Sequence, residues 1–397
     1  MVIKIIRRLE PGPGLLWLAA FVFVAPLLAA AQPVKVRALS AEESRKTIQM
    51  PPGYRLELAL GDAEIRDPVV AAFDGNGGLY VAEFRSYMLD ADGTGQHSAT
   101  SRVSYHWSTR GDGVFDRHSI FADTLTLPRL ILPLDRGQLL LGESYSLDIH
   151  LYTDVDGDGV SDKRELWYAG GPTPAISEHQ PSGLVWCQDN WIYTTVNTHR
   201  LRWTPQGAVK ESIPPNEGQW GLTQDDYGKP WPMNGRGERG PVQFQVPMQY
   251  GNFRIPGEVA PGFAEVWPLV GLADVQPGIG RFRPSDKTLN HFTATAGVEV
   301  YRGDALPREL YGDLFFGEPV GRLVRRAQIE VVDGVTTLSN PHQAQRSEFM
   351  RSSDPCFRPV NMLTGPDGTL YILDMYRGLI QEYVAVLRGS YLRDVVD

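Results

Sequence analysis

Short apolar stretches separated by Gly, Asp, Asn and Pro run along almost the whole chain, and long helical periodicities are lacking. One pattern recurs: an apolar strand, an Asp, Asn or Gly turn, and a second strand rich in Leu, Tyr or Trp. Each copy places hairpin turn residues between two half-buried strands. The copies are PVVAAFDGNGGLYVAEF (68–84), LILPLDRGQLLLGESY (130–145), PSGLVWCQDNWIYTTVN (181–197), QWGLTQDDYGKPWPMN (219–234), ELYGDLFFGEPVGRLVRRAQI (309–329) and PVNMLTGPDGTLYILDMY (359–376).

These repeats predict an all-β fold, a single β-propeller that is most simply six-bladed. The spacing averages ~55 residues per unit, within the range of a propeller blade. The first and last copies are nearly identical, which favours a ring in which the final blade meets the first and leaves no free sheet edges. Because the spacing is uneven and the fourth copy is poor, a five- or seven-bladed ring and a pair of β-sandwiches remain alternatives.

Residues 1–31 have the three-part layout of a secretory signal peptide. A basic start is followed by an apolar run from Leu15 to Leu28 and by small residues up to Ala31. The run is short for a membrane span and Pro26 interrupts it, so we expect cleavage after Ala31 rather than an uncleaved anchor. The mature chain is then periplasmic or secreted, without a membrane span. It is expected to be one propeller domain over 32–397, with a lead-in (32–60) and a tail (384–397).

Charge and cysteine content narrow the class of partner. Cleavage changes the formal charge from −9 to −11, because three basic residues and Glu10 are removed. An acidic chain without a basic cluster argues against nucleic acid or anionic lipid as a partner. Cys187 and Cys356 are too few for a disulfide framework and lie in no CxxC or CxxCH motif, and whether they pair is left open.

The segment DVDGDGVSDKRE (154–165) has the ligand spacing of a calcium-binding loop. Gly159 occupies the sixth position, where such a loop turns sharply. We expect bound Ca²⁺ here in preference to a metal-free Asp-rich turn. The predicted ligands are the side chains of five acidic residues and one backbone carbonyl: Asp154, Asp156, Asp158, Asp162, Glu165 and the carbonyl of Val160.

The sequences on either side of this aspartate loop are strand-like, so a helix–loop–helix calcium sensor is not predicted. Since the protein fills nearly all ligand positions, we expect a structural ion that staples two blades rather than a catalytic one. A degenerate copy, STRGDGVFDRHS (108–119), has Ser108 and Arg110 in place of the first two aspartates. We expect it to keep the loop shape without the metal.

Among known catalytic motifs, GxSxG, HExxH, a P-loop and a dinucleotide fingerprint are absent. The richest candidate segment is SEHQPSGLVWCQDNWIYTTVNTHRLRW (177–203). His179 precedes a predicted inner strand, where propeller loops meet at one mouth of the central channel, and is placed to act as a general base toward a hydroxyl. Glu178 is expected to orient the imidazole or raise its basicity. The alternative is a histidine that caps a turn.

The stretch EHQPSGLVWCQDNWIYTT (178–195) resembles the active-site segment of the soluble quinoprotein glucose/sorbosone dehydrogenases. The resemblance implies a six-bladed propeller that uses pyrroloquinoline quinone and Ca²⁺ to oxidise sugar hydroxyls. It implies His179 as the base, Glu178 as its acidic neighbour and Gln180 as a pocket residue. The Arg-Asn-Pro-type loop of that family has only poor substitutes here, MNGRGERGP (233–241) and QYGNFR (249–254). Calcium in that family sits at the quinone, so the aspartate loop is no argument for the cofactor.

A wider resemblance covers most of the predicted mature chain. It is to the propeller domain of exported bacterial proteins described as membrane-bound dehydrogenase-like, many of which continue into a helical repeat and a c-type cytochrome domain. Since neither follows here, the resemblance implies a propeller alone or one that passes electrons to a separate cytochrome c. It is carried by LSAEESRKTIQMPPGYRLEL (39–58), RDPVVAAFDGNGGLYVAEFRSY (66–87), FRPVNMLTGPDGTLYILDMYRGLIQE (357–382) and SYLR (390–393).

Arg85 and Arg377 follow the second strand of the first and last copies. Guanidinium groups near the channel mouth are suited to bind the carboxylates of a quinone or an acidic sugar, and blade-edge salt bridges are the alternative. The expected function is a quinone-dependent dehydrogenase acting on a sugar or another alcohol. Two rivals are a Ca²⁺-dependent hydrolase such as a lactonase, with metal in the central channel, and a non-catalytic carbohydrate- or protein-binding propeller.

Overall fold

Antiparallel hairpins make up most of the structure, a computed structural model that describes residues 1–7, 37–135, 137–214, 218–233, 257–271, 281–389 and 393. The sheets divide into consecutive units, which we number from 1 to 6. The first three are unit 1, of β4 (Pro68–Phe73), β5 (Leu79–Glu83), β6 (Ser101–Trp107) and β7 (Arg117–Leu125); unit 2, of β8 (Pro128–Pro133), β9 (Gln138–Glu143), β10 (Ile149–Thr153) and β11 (Lys163–Tyr168); and unit 3, of β12 (Gly183–Trp186), β13 (Ile192–Thr194), β14 (His199–Thr204) and β15 (Gly207–Ser212).

The later units are less regular, and two of them include strands from the start of the chain. They are unit 4, described as β16 (Leu222–Gln224) and β17 (Pro230–Pro232); unit 5, of β18 (Ala296–Val300), β19 (Leu314–Glu318), β20 (Leu323–Val332), β21 (Val335–Ser339), β22 (Met350–Ser352) and β2 (Ile48–Gln49); and unit 6, of β23 (Pro359–Thr364), β24 (Leu370–Asp374), β1 (Val2–Arg7) and β3 (Tyr54–Leu60).

The first strands of the units pack side by side around a common centre. Each first strand contacts the next one in the series β4, β8, β12, β16, β18 and β23, and β23 contacts β4. This closed ring confirms the predicted all-β propeller. The blade number stays a prediction, because unit 4 is described by two strands only and its remaining segment lies outside the described residues.

Five of the six sequence repeats coincide with a first and second strand, but the copy at 309–329 does not. It forms β19 and β20, the second and third strands of unit 5. The first strand of that unit is β18, which the repeat pattern missed because the segment 301–313 separates it from β19. The long connection between β18 and β19 stands in place of the short turn by which the other repeats were recognised.

From residue 37 onward, the predicted lead-in is part of the fold. A short helix, α1 (Ala41–Thr47), begins at Ser40, whose side chain accepts from the Glu43 N–H while the Glu43 carboxylate accepts from the Ser40 N–H. This reciprocal capping box fixes where the helix starts. The two strands that follow, β2 and β3, join units 5 and 6.

Residues 2–7 form β1, an inner strand of unit 6 between β24 and β3. Val2 and Ile5 are fully buried, and the Met1 ammonium donates to the carbonyl of Asp374 at 2.7 Å. The apolar run and the predicted cleavage site lie outside the described residues, so the signal peptide stays a prediction. In the part of the chain that the structure describes, no helix is both long and apolar enough to cross a membrane.

A carboxylate at the end of the second strand closes several units by accepting backbone N–H groups that precede a first strand. Glu83, Glu318 and Asp374 are fully shielded from solvent. They accept from the N–H groups of Arg66 (2.9 Å), Ala294 (3.0 Å) and Arg358 (2.7 Å) respectively. In unit 2 the partly buried Glu143 accepts from the Thr126 N–H at 2.6 Å.

Unit 3 has no carboxylate at the end of its second strand. The Thr195 hydroxyl, one residue after β13, accepts from the Ser182 N–H at 2.9 Å in place of a carboxylate. This unit without the acid is preceded by His179. The two cysteines, Cys187 in this unit and Cys356 before β23, are both buried and unbonded, so the open question of a disulfide is answered by two free thiols.

Candidate functional site

His179 ends a single 3₁₀ turn, Ser177–His179, that leads into β12. The turn stops there because Pro181 follows, which drives Gln180 into an extended conformation (φ −97°, ψ 161°). The imidazole is exposed. Within the described part of the chain it makes no side-chain hydrogen bond, so the predicted alternative of a turn-capping histidine is not what this geometry displays.

A buried guanidinium holds the backbone around His179. Arg129 donates to the carbonyls of Ser177, Gln180 (2.9 Å) and Pro181 (2.8 Å), and its plane lies 4.4 Å from the ring centroid of Trp220. Burial lowers the pKa of Arg129 to about 9, which still leaves it charged at neutral pH. A charged group that satisfies three carbonyls fixes this loop more firmly than backbone packing alone.

Glu178 belongs to a second buried network, with Tyr87 and Glu382. Its carboxylate accepts from the Glu382 N–H at 2.5 Å and lies 3.4 Å from the Tyr87 hydroxyl. The Glu382 carboxylate in turn accepts from the N–H groups of Ser177 and Glu178, each at 3.2 Å, and from the side-chain amide of Gln96 at 2.7 Å. Both contacts of the Glu178 carboxylate are made by Oε1, and no hydrogen bond joins Glu178 to the imidazole among the described residues, so the pairing of Glu178 with His179 stays a prediction.

Burial raises the pKa of Glu178 to about 7, and the nearby Glu382 carboxylate adds to the effect, while the Glu382 N–H opposes it. Two carboxyl groups in one buried network do not ionise together easily. Glu178 therefore changes charge close to neutral pH, next in sequence to the exposed histidine.

Gln180 is buried with both ends of its amide used within the protein. Its oxygen accepts from the Tyr145 N–H at 2.7 Å, and its nitrogen donates to the Ala175 carbonyl at 2.7 Å. These two contacts orient the amide toward the protein backbone, and the pocket role of Gln180 stays a prediction. Gln180 shapes the loop through them.

Arg85 and Arg377 each pair with an acid. The Arg85 guanidinium lies 3.1 Å from the buried Glu83 carboxylate, which Arg102 also contacts at 2.7 Å. Arg377 lies 3.1 Å from Asp67 and donates to the Met88 carbonyl. The contacts agree with the salt-bridge alternative, although each acid is shared by two arginines, Glu83 by Arg85 and Arg102 and Asp67 by Arg66 and Arg377.

Arg85 and Arg377 do not hold equivalent positions in their units. Arg85 comes two residues after the acid that ends its second strand, Glu83, whereas Arg377 comes three residues after Asp374. Arg377 lines a cavity of about 650 Å³ beside Asp67 and Arg66, which is not the surface that displays His179. Neither arginine makes a hydrogen bond or an ion pair with His179 among the described residues.

The aspartate loop connects β10 and β11, the third and fourth strands of unit 2, rather than two blades. It does contact the neighbouring unit: the Ser119 hydroxyl donates to the Gly159 carbonyl at 2.5 Å and the Ser161 N–H to the Phe121 carbonyl at 2.9 Å. The loop therefore joins unit 2 to β7 of unit 1 through these two hydrogen bonds, and the calcium staple stays a prediction. The predicted strands on both sides of the loop agree with the structure.

Three of the predicted calcium ligands converge. Carboxylate oxygens of Asp154, Asp156 and Asp162 lie within 4.8 Å of one another. Asp158 accepts from the exposed Val160 N–H at 2.8 Å within the same loop. Glu165 lies on β11 and pairs with Lys163 at 2.8 Å, so this residue lies apart from the cluster.

Four residues of the site were missed from the sequence: Tyr87, Gln96, Arg129 and Glu382. Only Arg129 carries a local signal, a charged residue inside the apolar run LTLPRLILPL. Glu382 contacts Glu178 across 204 residues of chain, and no pattern in either segment announces that contact.

A search of curated proteins finds no match. Among solved structures, the quinone domain (PQQ domain) of pyranose dehydrogenase from Coprinopsis cinerea is 12% identical, with a TM-score of 0.46 and coverage of 82% of this chain and 97% of that one. The soluble aldose sugar dehydrogenase of Escherichia coli, in the apo form, is 15% identical, with a TM-score of 0.47 and coverage of 84% and 97%.

Virginiamycin B lyase from Staphylococcus aureus is 12% identical, with a TM-score of 0.38 and coverage of 82% of each chain. With TM-scores below 0.5, these likenesses do not support the transfer of an activity or a cofactor. One sequence family covers nearly the whole chain, over residues 40–397. The chain belongs to this family, which is described as "Domain of unknown function (DUF7133)".

Proposed function

We propose that the chain is an enzyme that oxidises a hydroxyl group of a sugar or another alcohol, with His179 as the general base. The observation that carries the proposal is the exposed imidazole on a backbone held by a fully buried arginine. A free imidazole nitrogen is suited to accept a hydroxyl proton. The sequence around it also resembles the base-bearing segment of the quinoprotein sugar dehydrogenases.

The residues behind His179 are positioning residues in this proposal. Arg129 and the Glu382 carboxylate bind the loop from two directions, so the imidazole is presented with little backbone freedom. A base held in place in advance loses less entropy when substrate binds. Gln180 contributes in the same way through its two backbone contacts.

A quinone cofactor fits the described residues only in part. Pyrroloquinoline quinone is a tricarboxylate and needs cationic or N–H partners. Arg85 and Arg377, the predicted partners, are each paired with an acid, and residues 234–256 lie outside the description. We therefore keep the quinone as a proposal to be tested and assign no step to it.

Location and electron transfer form part of the same proposal. We place the enzyme in the periplasm or outside the cell on the basis of the predicted leader, with a small-molecule substrate and a separate cytochrome c as electron acceptor. The lactonase alternative requires metal in the channel. Among the described residues, the converging carboxylates lie on the aspartate loop instead, which gives that alternative no support.

The experiment is a titration of the EDTA-treated chain with pyrroloquinoline quinone in the presence of Ca²⁺, followed by dye reduction with a panel of aldoses and alcohols. His179→Ala is compared with His150→Ala, a partly exposed strand histidine in unit 2. Loss of the base should lower the dye-reduction rate by roughly 10²–10⁴-fold. The His150 variant should retain the rate, and added imidazole should restore part of the activity of the His179 variant.

Absence of quinone binding at every calcium concentration would refute the quinone part of the proposal. Equal activity of His179→Ala and wild type would refute the base. A sugar that binds without dye reduction, and binds equally to the His179 variant, would identify a non-catalytic binding propeller instead.

A further inference from the structure

Two histidines face each other across β6 and β7, in unit 1 and away from His179. His106 and His118 are directly opposed in the register of the two strands, with Nδ1 to Nδ1 at 2.8 Å. His106 is fully buried, whereas His118 is exposed. The pair is thus anchored on one side and open to solvent on the other.

The Ser104 hydroxyl engages the far side of the His106 ring, 2.8 Å from Nε2. In the tautomer that carries its proton on Nε2, this nitrogen donates to the hydroxyl. The lone pair of His106 is then on Nδ1, facing His118. Burial lowers the pKa of His106 to about 3, so this imidazole is neutral at pH 7.

An oriented imidazole whose other nitrogen is hydrogen-bonded is the usual arrangement of a metal-ligating histidine. His118 needs only its other neutral tautomer, with the proton on the exposed Nε2, to turn a second lone pair toward the first. No proton is lost in that change. With metal–nitrogen bonds of about 2.0 Å, nitrogens at this separation subtend about 90° at the metal.

The hairpin does not require this pair. The same positions of the β10–β11 hairpin in unit 2 hold Tyr152 and Arg164, which are also opposed in register and pack with the guanidinium 5.5 Å from the ring. The two hairpins carry the degenerate loop and the aspartate loop at matching places, two residues after His106 and Tyr152. The fold is therefore satisfied without histidines there.

We propose that His106 and His118 form a two-imidazole binding site for a divalent transition-metal ion, with the remaining coordination positions filled by water. An angle of about 90° suits the tetragonal geometry of Cu²⁺ or Ni²⁺ better than the tetrahedral geometry of Zn²⁺. Imidazole is a poor ligand for Ca²⁺, so the site is chemically separate from the aspartate loop.

The test uses the purified full chain after EDTA treatment and desalting, titrated with Cu²⁺ by calorimetry and by electron paramagnetic resonance. His118→Gln is the test variant, since the side chain is exposed and the fold does not depend on it. His150→Gln is the matched control, a strand histidine two positions before Tyr152. The thermal midpoint of each metal-free protein is recorded, so that a folding defect is visible.

Wild type and His150→Gln should bind one Cu²⁺ with hyperfine coupling to two nitrogens. His118→Gln should bind it at least about tenfold more weakly, with one coupled nitrogen, and should lose the Cu²⁺-induced rise in thermal midpoint. Equal binding by His118→Gln and wild type would overturn the proposal, as would displacement of the bound Cu²⁺ by millimolar Ca²⁺, which would place the ion on carboxylates.

Discussion

Glu83, Glu318 and Asp374 each end a second strand with a carboxylate that solvent does not reach. Burying a charge is costly unless hydrogen bonds compensate it. Here the compensation comes from backbone N–H groups at the start of first strands, so each acid fixes where an inner strand begins. The repeated endings LYVAE, LLLGE, LFFGE and LYILD carry this information in the sequence, and the unit that carries His179 is an exception.

Replacing one of these acids should destabilise the ring. Glu318 accepts from the N–H groups of Thr293 and Ala294, and also lies near those of Val320 and Gly321. Glu318→Gln turns one oxygen into a donor that faces other donors. We expect a loss of roughly 1–3 kcal/mol in the free energy of unfolding, measured by urea denaturation.

The control for that measurement is Glu211→Gln, which removes an exposed partner of Arg200. A surface pair of this kind contributes roughly 0–1 kcal/mol. Equal losses in the two variants would mean that the Glu318 contacts do not hold the strand.

Glu178 predicts a pH dependence of stability. Its pKa is raised in the folded protein to about 7 from the ordinary 4.5, so the folded state binds the proton more tightly than the unfolded state. The stabilising contribution is present below about pH 4.5 and is lost as the pH rises to about 7. Glu178→Gln should therefore show a smaller fall in thermal midpoint between pH 5 and pH 8 than wild type does. Parallel midpoint curves for the two proteins would contradict this.

Some strands and turns could be predicted from the sequence, and others could not. The hairpins of units 1, 2 and 6 follow from turn residues such as DGNGG and GPDG, because a tight turn between alternating strands has few other solutions. The strand β18 was missed, because its partner lies beyond a long connection. The aspartate loop was correctly predicted to lie between two strands. The two strands were expected to belong to different blades, but they are β10 and β11, which pair with each other in unit 2.

Calcium binding to the aspartate loop should raise thermal stability. We expect Ca²⁺ to increase the midpoint of the EDTA-treated chain and Asp154→Asn to abolish the increase, since Asp154 is one of three converging carboxylates. Asp112→Asn, in the degenerate loop of unit 1, is the matched control and should keep the full effect. A calcium shift of the same size in the Asp154 variant would exclude this loop as the site.

At the scale of the whole molecule, closure of the ring depends on strands from both ends of the described chain. In unit 6, β1 fills the place between β24 and β3, and Met1, Val2, Ile3 and Ile5 are buried there. The sequence predicted that the first and last repeats meet. It did not predict that residues inside the presumed leader complete the sheet, because basic and apolar residues at a chain start fit both a leader and a strand.

A chain that begins at Gln32 should therefore be less stable than one that begins at Met1. It loses two strand pairings and four buried side chains, each worth roughly 1.5–3 kcal/mol. We expect a lower thermal midpoint, partly restored by the added peptide MVIKIIR. Equal midpoints, without an effect of the peptide, would show that β1 does not contribute to the stability of unit 6.

The sequence pointed to His179 as the candidate base, which stays a prediction, but not to the residues that hold its loop. His179 lies in a contiguous stretch of sequence that carries its own signal. The groups that hold it come from elsewhere: Arg129 from unit 2 and Glu382 from the segment after β24. When several units of a ring contribute to one site, the sequence reveals only the part of the site in which a single short segment carries a distinctive motif.

The two free thiols can be used to measure how the ring unfolds. Cys187 and Cys356 are both buried. Cys187 follows β12 in unit 3, and Cys356 precedes β23 in unit 6, so units 4 and 5 lie between them along the chain. A thiol reagent reaches each of them only when its surroundings open. Mass-spectrometric labelling of the two sites over time would therefore distinguish a propeller that opens all at once, with one common rate, from one that frays blade by blade, with two.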